Sequence, residues 1–153
     1  MANFKSRKVV IVGAGAVGSG FAFALAQSGI AGEITLVDVN TDLAKGQALD
    51  LAHGAPFYRP VSIQSGTAPE AYRDAAIVVV TAGKAQAGPG QSRLDLLQIN
   101  AKIVTSIVSD IQSVNPDAIV LVATNPVDVL THVARLRTDW PRGRILGSGT
   151  VLD

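Results

Sequence analysis

Short apolar runs alternate along this chain with longer segments of helical spacing. Residues 9–12 (VVIV) are continuously apolar, the pattern of a strand covered on both faces. Residues 16–28 are alanine-rich and predict a helix that Gly29 ends. The next apolar run, 34–37, predicts a second strand. Residues 41 to about 52 predict a helix with Leu43, Gln47 and Asp50 spaced along it, and 61–64 a third strand. The pattern then restarts. Residues 77–81 are strongly β-branched, and 82–91 form a loop containing Gly83, Gly88, Pro89 and Gly90. Ser92 opens a long helix as its N-cap, with Asp95 three residues on at capping-box spacing. Leu94, Leu97, Val104, Ile107, Ile111 and Val114 follow at helical intervals until Pro116 stops them. Residues 118–122 predict a strand. Asn125 and Pro126 predict the cap and first-turn proline of a helix running to about Arg137, and 145–146 a final strand.

Alternating strands and helices imply an α/β fold, a parallel sheet with helices on both faces. Right-handed crossovers leave few topologies. Two three-strand halves predict a doubly wound, Rossmann-type six-stranded sheet in the order 3-2-1-4-5-6. In that order the strands ending at Val12 and Thr81 are neighbours at the switch point. Their following loops, 13–18 and 82–91, then face one another across a crevice, which places a ligand between them.

Composition sharpens this picture. At 153 residues the chain has the size of one domain. It is 48% hydrophobic and only 16% charged, against about 25% charged in an average soluble domain. A sheet buried on both faces accounts for that, as does a face covered by a second domain or subunit. A net charge of +1 gives no support to nucleic acid or an anionic membrane as partner. The absence of cysteine excludes disulfides and thiolate chemistry. With only two histidines, not paired at metal-ligand spacing, no metal site is expected. Lys5, Arg7 and Lys8 precede an uncharged stretch, 9–30, that resembles a secretory signal. Gly13, Gly15, Gly18 and Gly20 interrupt it, each costing about 1 kcal/mol relative to alanine in a helix, so strand, turn and helix are expected instead. The expected location is cytoplasmic.

The strongest chemical signal is GAGAVG at 13–18. It follows a strand, opens a helix and precedes Asp38, twenty positions beyond Gly18. Gly13 suits a tight turn, Gly15 lets a pyrophosphate approach the backbone, and Gly18 permits close helix–strand packing. The helix start offers unpaired N–H groups and a positive dipole end to phosphates. Asp38 can accept hydrogen bonds from the adenine-side ribose and would repel a 2′-phosphate. No arginine follows at Val39 or Asn40, so NAD is favoured over NADP. A flavin can use the same turn.

Asn125, just past a central strand, reads both as a helix cap and as an amide facing the crevice. Arg93, after the glycine-rich loop, reads as a surface arginine or as a group carried by a lid onto an anionic substrate.

Together these residues resemble the NAD-dependent lactate and malate dehydrogenases. The matching segments are VGAGAVGS (12–19), LVDV (36–39), ALDLAHGAPF (48–57), TAGK (81–84), PGQSRLDLL (89–97), VATNPVDVLT (122–131) and ILGSGTVLD (145–153), in family order over nearly the whole chain. The resemblance implies that Gly13, Gly15, Val17, Gly18 and Asp38 bind NAD, with Gly83, Ala123 and Asn125 nearby. It implies that Arg93 polarises the substrate carbonyl, Asn125 contacts the substrate oxygen and Asp153 orients the catalytic histidine. Gln86 takes the specificity position. A neutral glutamine there suits pyruvate, whereas the malate enzymes place an arginine. Counted back from Arg93, the family spacing instead falls on Ala87, because this loop is one residue longer.

The resemblance also implies that residues 1–153 form the NAD-binding domain, with the family's second, catalytic domain, its histidine and its second substrate arginine lying beyond Asp153. The expected activity is hydride transfer between NAD and a small 2-hydroxy acid, lactate or pyruvate being favoured. This chain alone is expected to bind NAD without turnover, and the full-length family enzyme to be a homo-oligomer. A malate-type enzyme and a redesigned, non-catalytic Rossmann scaffold are the alternatives. His53 and His132 read as structural residues.

Overall fold

The structure, a computed structural model, describes residues 7–85 and 93–149 and, at Arg93, the backbone alone. Its centre is a six-stranded sheet of β1 (Lys8–Val12), β2 (Glu33–Val37), β3 (Ser62–Ser65), β4 (Ile77–Val80), β5 (Ile119–Val122) and β6 (Ile145–Gly147). All neighbouring strands pair parallel, in the order β3-β2-β1-β4-β5-β6. The α/β, doubly wound fold and the strand order expected from the sequence are therefore both present. Four α-helices cover the sheet: α1 (Ala16–Ser28), α2 (Thr41–His53), α3 (Arg93–Val114) and α4 (Val127–Leu136).

Successive strand residues point to opposite faces, so each apolar run builds two cores. Val9, Ile11, Ile34, Leu36 and Val79 pack with Ala22 and Ala26 of α1 and with Ala44, Ala48 and Leu51 of α2. Val10, Val12, Val78, Val80, Val120 and Val122 pack with Val104, Val108 and Ile111 of α3 and with Leu130 and Ala134 of α4. Each fully buried valine or isoleucine contributes roughly 1.5–3 kcal/mol. The charge-poor composition follows from this double burial.

The structure adds local detail to the sequence reading and corrects the cap expected for α4. The buried face of α2 is Ala44, Ala48 and Leu51, while Leu43 and Asp50 are exposed. Small alanines, not the larger Leu43, let this helix lie close to the sheet. Asn125 does not cap α4: the cap position is Pro126, with no side-chain hydrogen bond to the helix. Leu94 is exposed, and the inward stripe of α3 is Val104, Val108 and Ile111. Ser92, expected to cap α3, lies outside the described residues. Two one-turn helices, Ala55–Phe57 and Glu70–Tyr72, have no apolar periodicity that would have foretold them.

At the strand N-terminal edge, Asn115 follows α3 and donates its side-chain amide to the carbonyls of Tyr72 (2.8 Å) and Ala75 (3.0 Å). Tyr72 is buried, which pushes its phenol up to about 12, with Asp110 adding to the shift.

Candidate functional site

The C-terminal strand ends converge as the order 3-2-1-4-5-6 requires. The Gly13 amide donates to the Val37 carbonyl (2.8 Å), the Thr81 amide to Val12 (2.9 Å) and the Ala123 amide to Val80 (2.9 Å). The segments after β1, β2, β4 and β5 thus surround one crevice.

Its floor is the glycine turn, and the three glycines there answer to different constraints. Gly13 has φ +104°, and a Cβ added to it would stand 2.6 Å from the Ala82 nitrogen. A Cβ on Gly18 would strike the Gly13 carbonyl oxygen and the Thr81 hydroxyl. Both are fixed by the protein's own packing. Gly15 is not: its φ is −70°, and a Cβ on it would meet nothing within 4 Å. The space above Gly15 is open. It is also the cap of α1, with no side-chain cap hydrogen bond and no acidic residue in the first turn. The unpaired amides and positive end of α1 therefore face that space. This is the environment a pyrophosphate needs, so the residues present fit a dinucleotide. Val17, in the same first turn, is 64% exposed.

Asp38, just past β2, is half-buried. One carboxylate oxygen accepts the Ala14 amide at 2.7 Å and the other accepts the Asn40 amide at 2.9 Å. Asn40 in turn caps α2 by accepting the Leu43 amide (3.1 Å). The carboxylate is held across the turn, and each oxygen keeps lone-pair capacity for another donor.

The opposite wall comes from β4 and β5. Thr81 places its hydroxyl on the carbonyls of Val12 (3.0 Å) and Gly13 (2.9 Å). Thr124 places its hydroxyl on the carbonyl of Ala82 at 2.8 Å, and a Cβ on Gly83 would stand 2.5 Å from the Thr124 methyl. Ala123 ends β5's ladder beside it. Asn125 is exposed, and its carboxamide makes no hydrogen bond among the described residues. Asn100 of α3, only 2% exposed, bonds the backbone of Lys84 and of Asn125. Within segments 13–18, 38–40, 81–85 and 123–127, Lys84 is the one Lys or Arg.

Residues 7–147 match the family described as lactate/malate dehydrogenase, NAD binding domain. The chain belongs to that family.

As this family's NAD-binding domain, the chain takes NAD as its cofactor. It is 53% identical over 149 residues to an L-lactate dehydrogenase of Treponema denticola, covering 97% of this chain and 47% of that protein. An L-lactate dehydrogenase of Kosmotoga olearia is 52% identical over 146 residues, covering 95% and 45%. Among solved structures, a ligand-bound minor L-lactate dehydrogenase of Enterococcus mundtii superposes with a TM-score of 0.90 at 46% identity, over 96% of this chain and 46% of that one. A malate dehydrogenase of Archaeoglobus fulgidus in complex with NADH gives a TM-score of 0.86 at 40% identity, over 92% and 48%. The chain spans about half the length of the curated relatives it matches.

Within this lactate/malate dehydrogenase domain, the structure brings Gly13, Gly15, Val17, Gly18, Asp38, Gly83, Ala123 and Asn125 to the one crevice. Gln86, Asp153 and the side chain of Arg93 lie outside the described residues. His53 and His132 are exposed, His53 at the end of α2 on the far edge of the sheet from the crevice. Sequence reasoning missed Thr81, Asn100 and Thr124. Asn100 carried a signal: it stands between Leu97 and Val104 as a polar break in the inward stripe of α3. Among the described residues no helix is long and apolar enough to cross a membrane.

Proposed function

We propose that this chain, as a domain of residues 1–153, holds NAD for an L-lactate dehydrogenase-type oxidoreductase acting between a small 2-hydroxy acid and its 2-oxo partner. Lactate and pyruvate are favoured. NAD, when bound, supplies the hydride-transfer chemistry. The α1 amides beyond Gly15 bind its diphosphate, with Gly13 and Gly18 keeping the turn closed and Val17 beside it. Asp38 accepts the adenine-side ribose hydroxyls and repels a 2′-phosphate. Gly83, Ala123 and Asn125 line the nicotinamide end, and the free Asn125 carboxamide contacts the substrate oxygen. Arg93 polarises the substrate carbonyl, Gln86 selects the methyl-bearing substrate, and Asp153 orients a histidine supplied from outside this chain.

The observation that carries this reading is the open space over Gly15, beside a carboxylate already held in place by two amides. No histidine stands in the crevice among the described residues, and lacking such a general acid–base costs roughly 10²–10⁴-fold in rate. The chain therefore binds NAD without meaningful turnover. We place the working enzyme in the cytoplasm as a homo-oligomer.

Calorimetry with NAD and NADP, alongside lactate- and pyruvate-dependent absorbance at the nicotinamide band, tests both parts. The expected result is NAD binding, weaker NADP binding and no turnover. Robust turnover refutes the division of labour, and absence of NAD binding at millimolar concentration refutes the site. A malate-type substrate is the second reading, favoured by the 40% identity to the Archaeoglobus fulgidus malate dehydrogenase.

A further inference from the structure

We infer that Asn100 is a positioning residue for the cofactor crevice, a buried clamp that sets the spacing between two of its walls. The inference rests on the reading of the crevice as the NAD site. A carboxamide has one acceptor oxygen and two N–H donors. In Asn100 the oxygen accepts the Lys84 amide at 2.8 Å, and the nitrogen donates to the carbonyls of Lys84 (3.2 Å) and Asn125 (3.3 Å). The first two bonds grip one residue of the β4–α3 connection from both sides, as a neighbouring strand would. The third crosses to the β5–α4 turn, which carries the free Asn125 carboxamide.

The remaining wall joins the same chain of contacts. Ala82, two residues before Lys84, lies against Gly13 of the glycine turn and is bonded by Thr124. Asn100 thereby fixes Gly83 and Asn125 relative to one another and to the diphosphate end. A leucine of similar volume would fit the apolar stripe of α3 but would leave one amide and two carbonyls without their partner in a partly buried place. An aspartate would keep the bond from the Lys84 amide and turn both carbonyl contacts repulsive.

The residue just past the same helix supplies a matched control. Asn115 is also an asparagine with two side-chain donations to backbone carbonyls, but it sits at the opposite edge of the sheet. Asn100→Ala, Asn100→Asp and Asn115→Ala are compared with the parent chain for melting temperature, NAD affinity by calorimetry and amide exchange at Lys84. Both Asn100 variants should lose about tenfold or more in NAD affinity. Asn115→Ala should lose a comparable melting temperature yet hold its NAD affinity within about twofold. The Lys84 amide should lose protection in Asn100→Ala and keep it in Asn100→Asp and Asn115→Ala. A folded Asn100 variant with unchanged NAD affinity overturns the inference while leaving the NAD site intact. So does a parallel loss of affinity in Asn115→Ala, which would make the effect one of stability alone. Should the parent chain fail to bind NAD, the reading of the crevice falls and the positioning role with it, whatever the exchange at Lys84.

Discussion

The Asp38 carboxylate accepts the Ala14 amide at 2.7 Å, which ties the end of β2 to the glycine turn after β1. One side chain thus couples the two regions that, under the proposed function, hold opposite ends of an adenosine diphosphate. In the proposed function the same carboxylate carries the charge that discriminates against a 2′-phosphate. Asp38→Ser removes both. We expect about tenfold weaker NAD binding, with a smaller loss or a gain for NADP, measured by paired calorimetric titrations. An unchanged NAD-to-NADP ratio would contradict the role given to Asp38.

The three glycines of the turn should separate by experiment. Gly15→Ala places its methyl in open space, so its melting temperature should stay near the parent's, a change within about 0.5 kcal/mol. Its NAD affinity should nevertheless fall by about tenfold or more, because the methyl occupies ground a diphosphate needs. Gly18→Ala meets the Gly13 carbonyl and should cost about 2 kcal/mol or more in stability before any ligand is added. Chemical denaturation of each variant, followed by NAD titration, reads both quantities.

Lys84 stands alone as a cation on the described crevice segments. Lys84→Met should weaken NAD binding by a few-fold at low salt, and the difference should shrink as ionic strength rises. The nucleoside adenosine, which lacks the diphosphate, should bind parent and variant alike. A salt-independent loss would assign Lys84 a packing role instead.

Tyr72 gives a pH dependence remote from the crevice. Its folded pKa is pushed up to about 12 by burial, with Asp110 contributing, against an unfolded value of about 10. A raised value stabilises the fold fully below pH 10 and loses that contribution as pH climbs through 12. The melting temperature of the parent should fall over that window more steeply than that of Tyr72→Phe. Coincident curves would exclude Tyr72 as a source of alkaline unfolding.

Elements whose pattern reflects burial were legible in the chain. VVIV at 9–12 and IVVV at 77–80 are apolar on both faces because two helical layers cover them, and the strand order followed from their alternation with helices. Gly13 and Gly18 were readable because turn geometry and close packing restrict the residue type there. The buried face of α2 left little trace in the chain because two of its three buried residues are alanines, which serve exposed positions equally well. The cap of α4 was misread because Asn-Pro satisfies a cap signature locally, while here the Asn125 carbonyl is engaged by Asn100 from another helix. Asn100 itself shows only as a polar break in the stripe of α3, and the tertiary hydrogen bonds of Thr81 and Thr124 leave no periodic trace.

The most direct test of the cofactor crevice is an NMR titration of the chain with NAD, followed at backbone amides. The predicted result is saturable shifts at Gly13, Ala14, Gly15, Gly18 and Asp38, extending to Gly83 and Asn125, with the β3 edge unmoved. Shifts confined to other surfaces, or none at saturating NAD, would contradict the account.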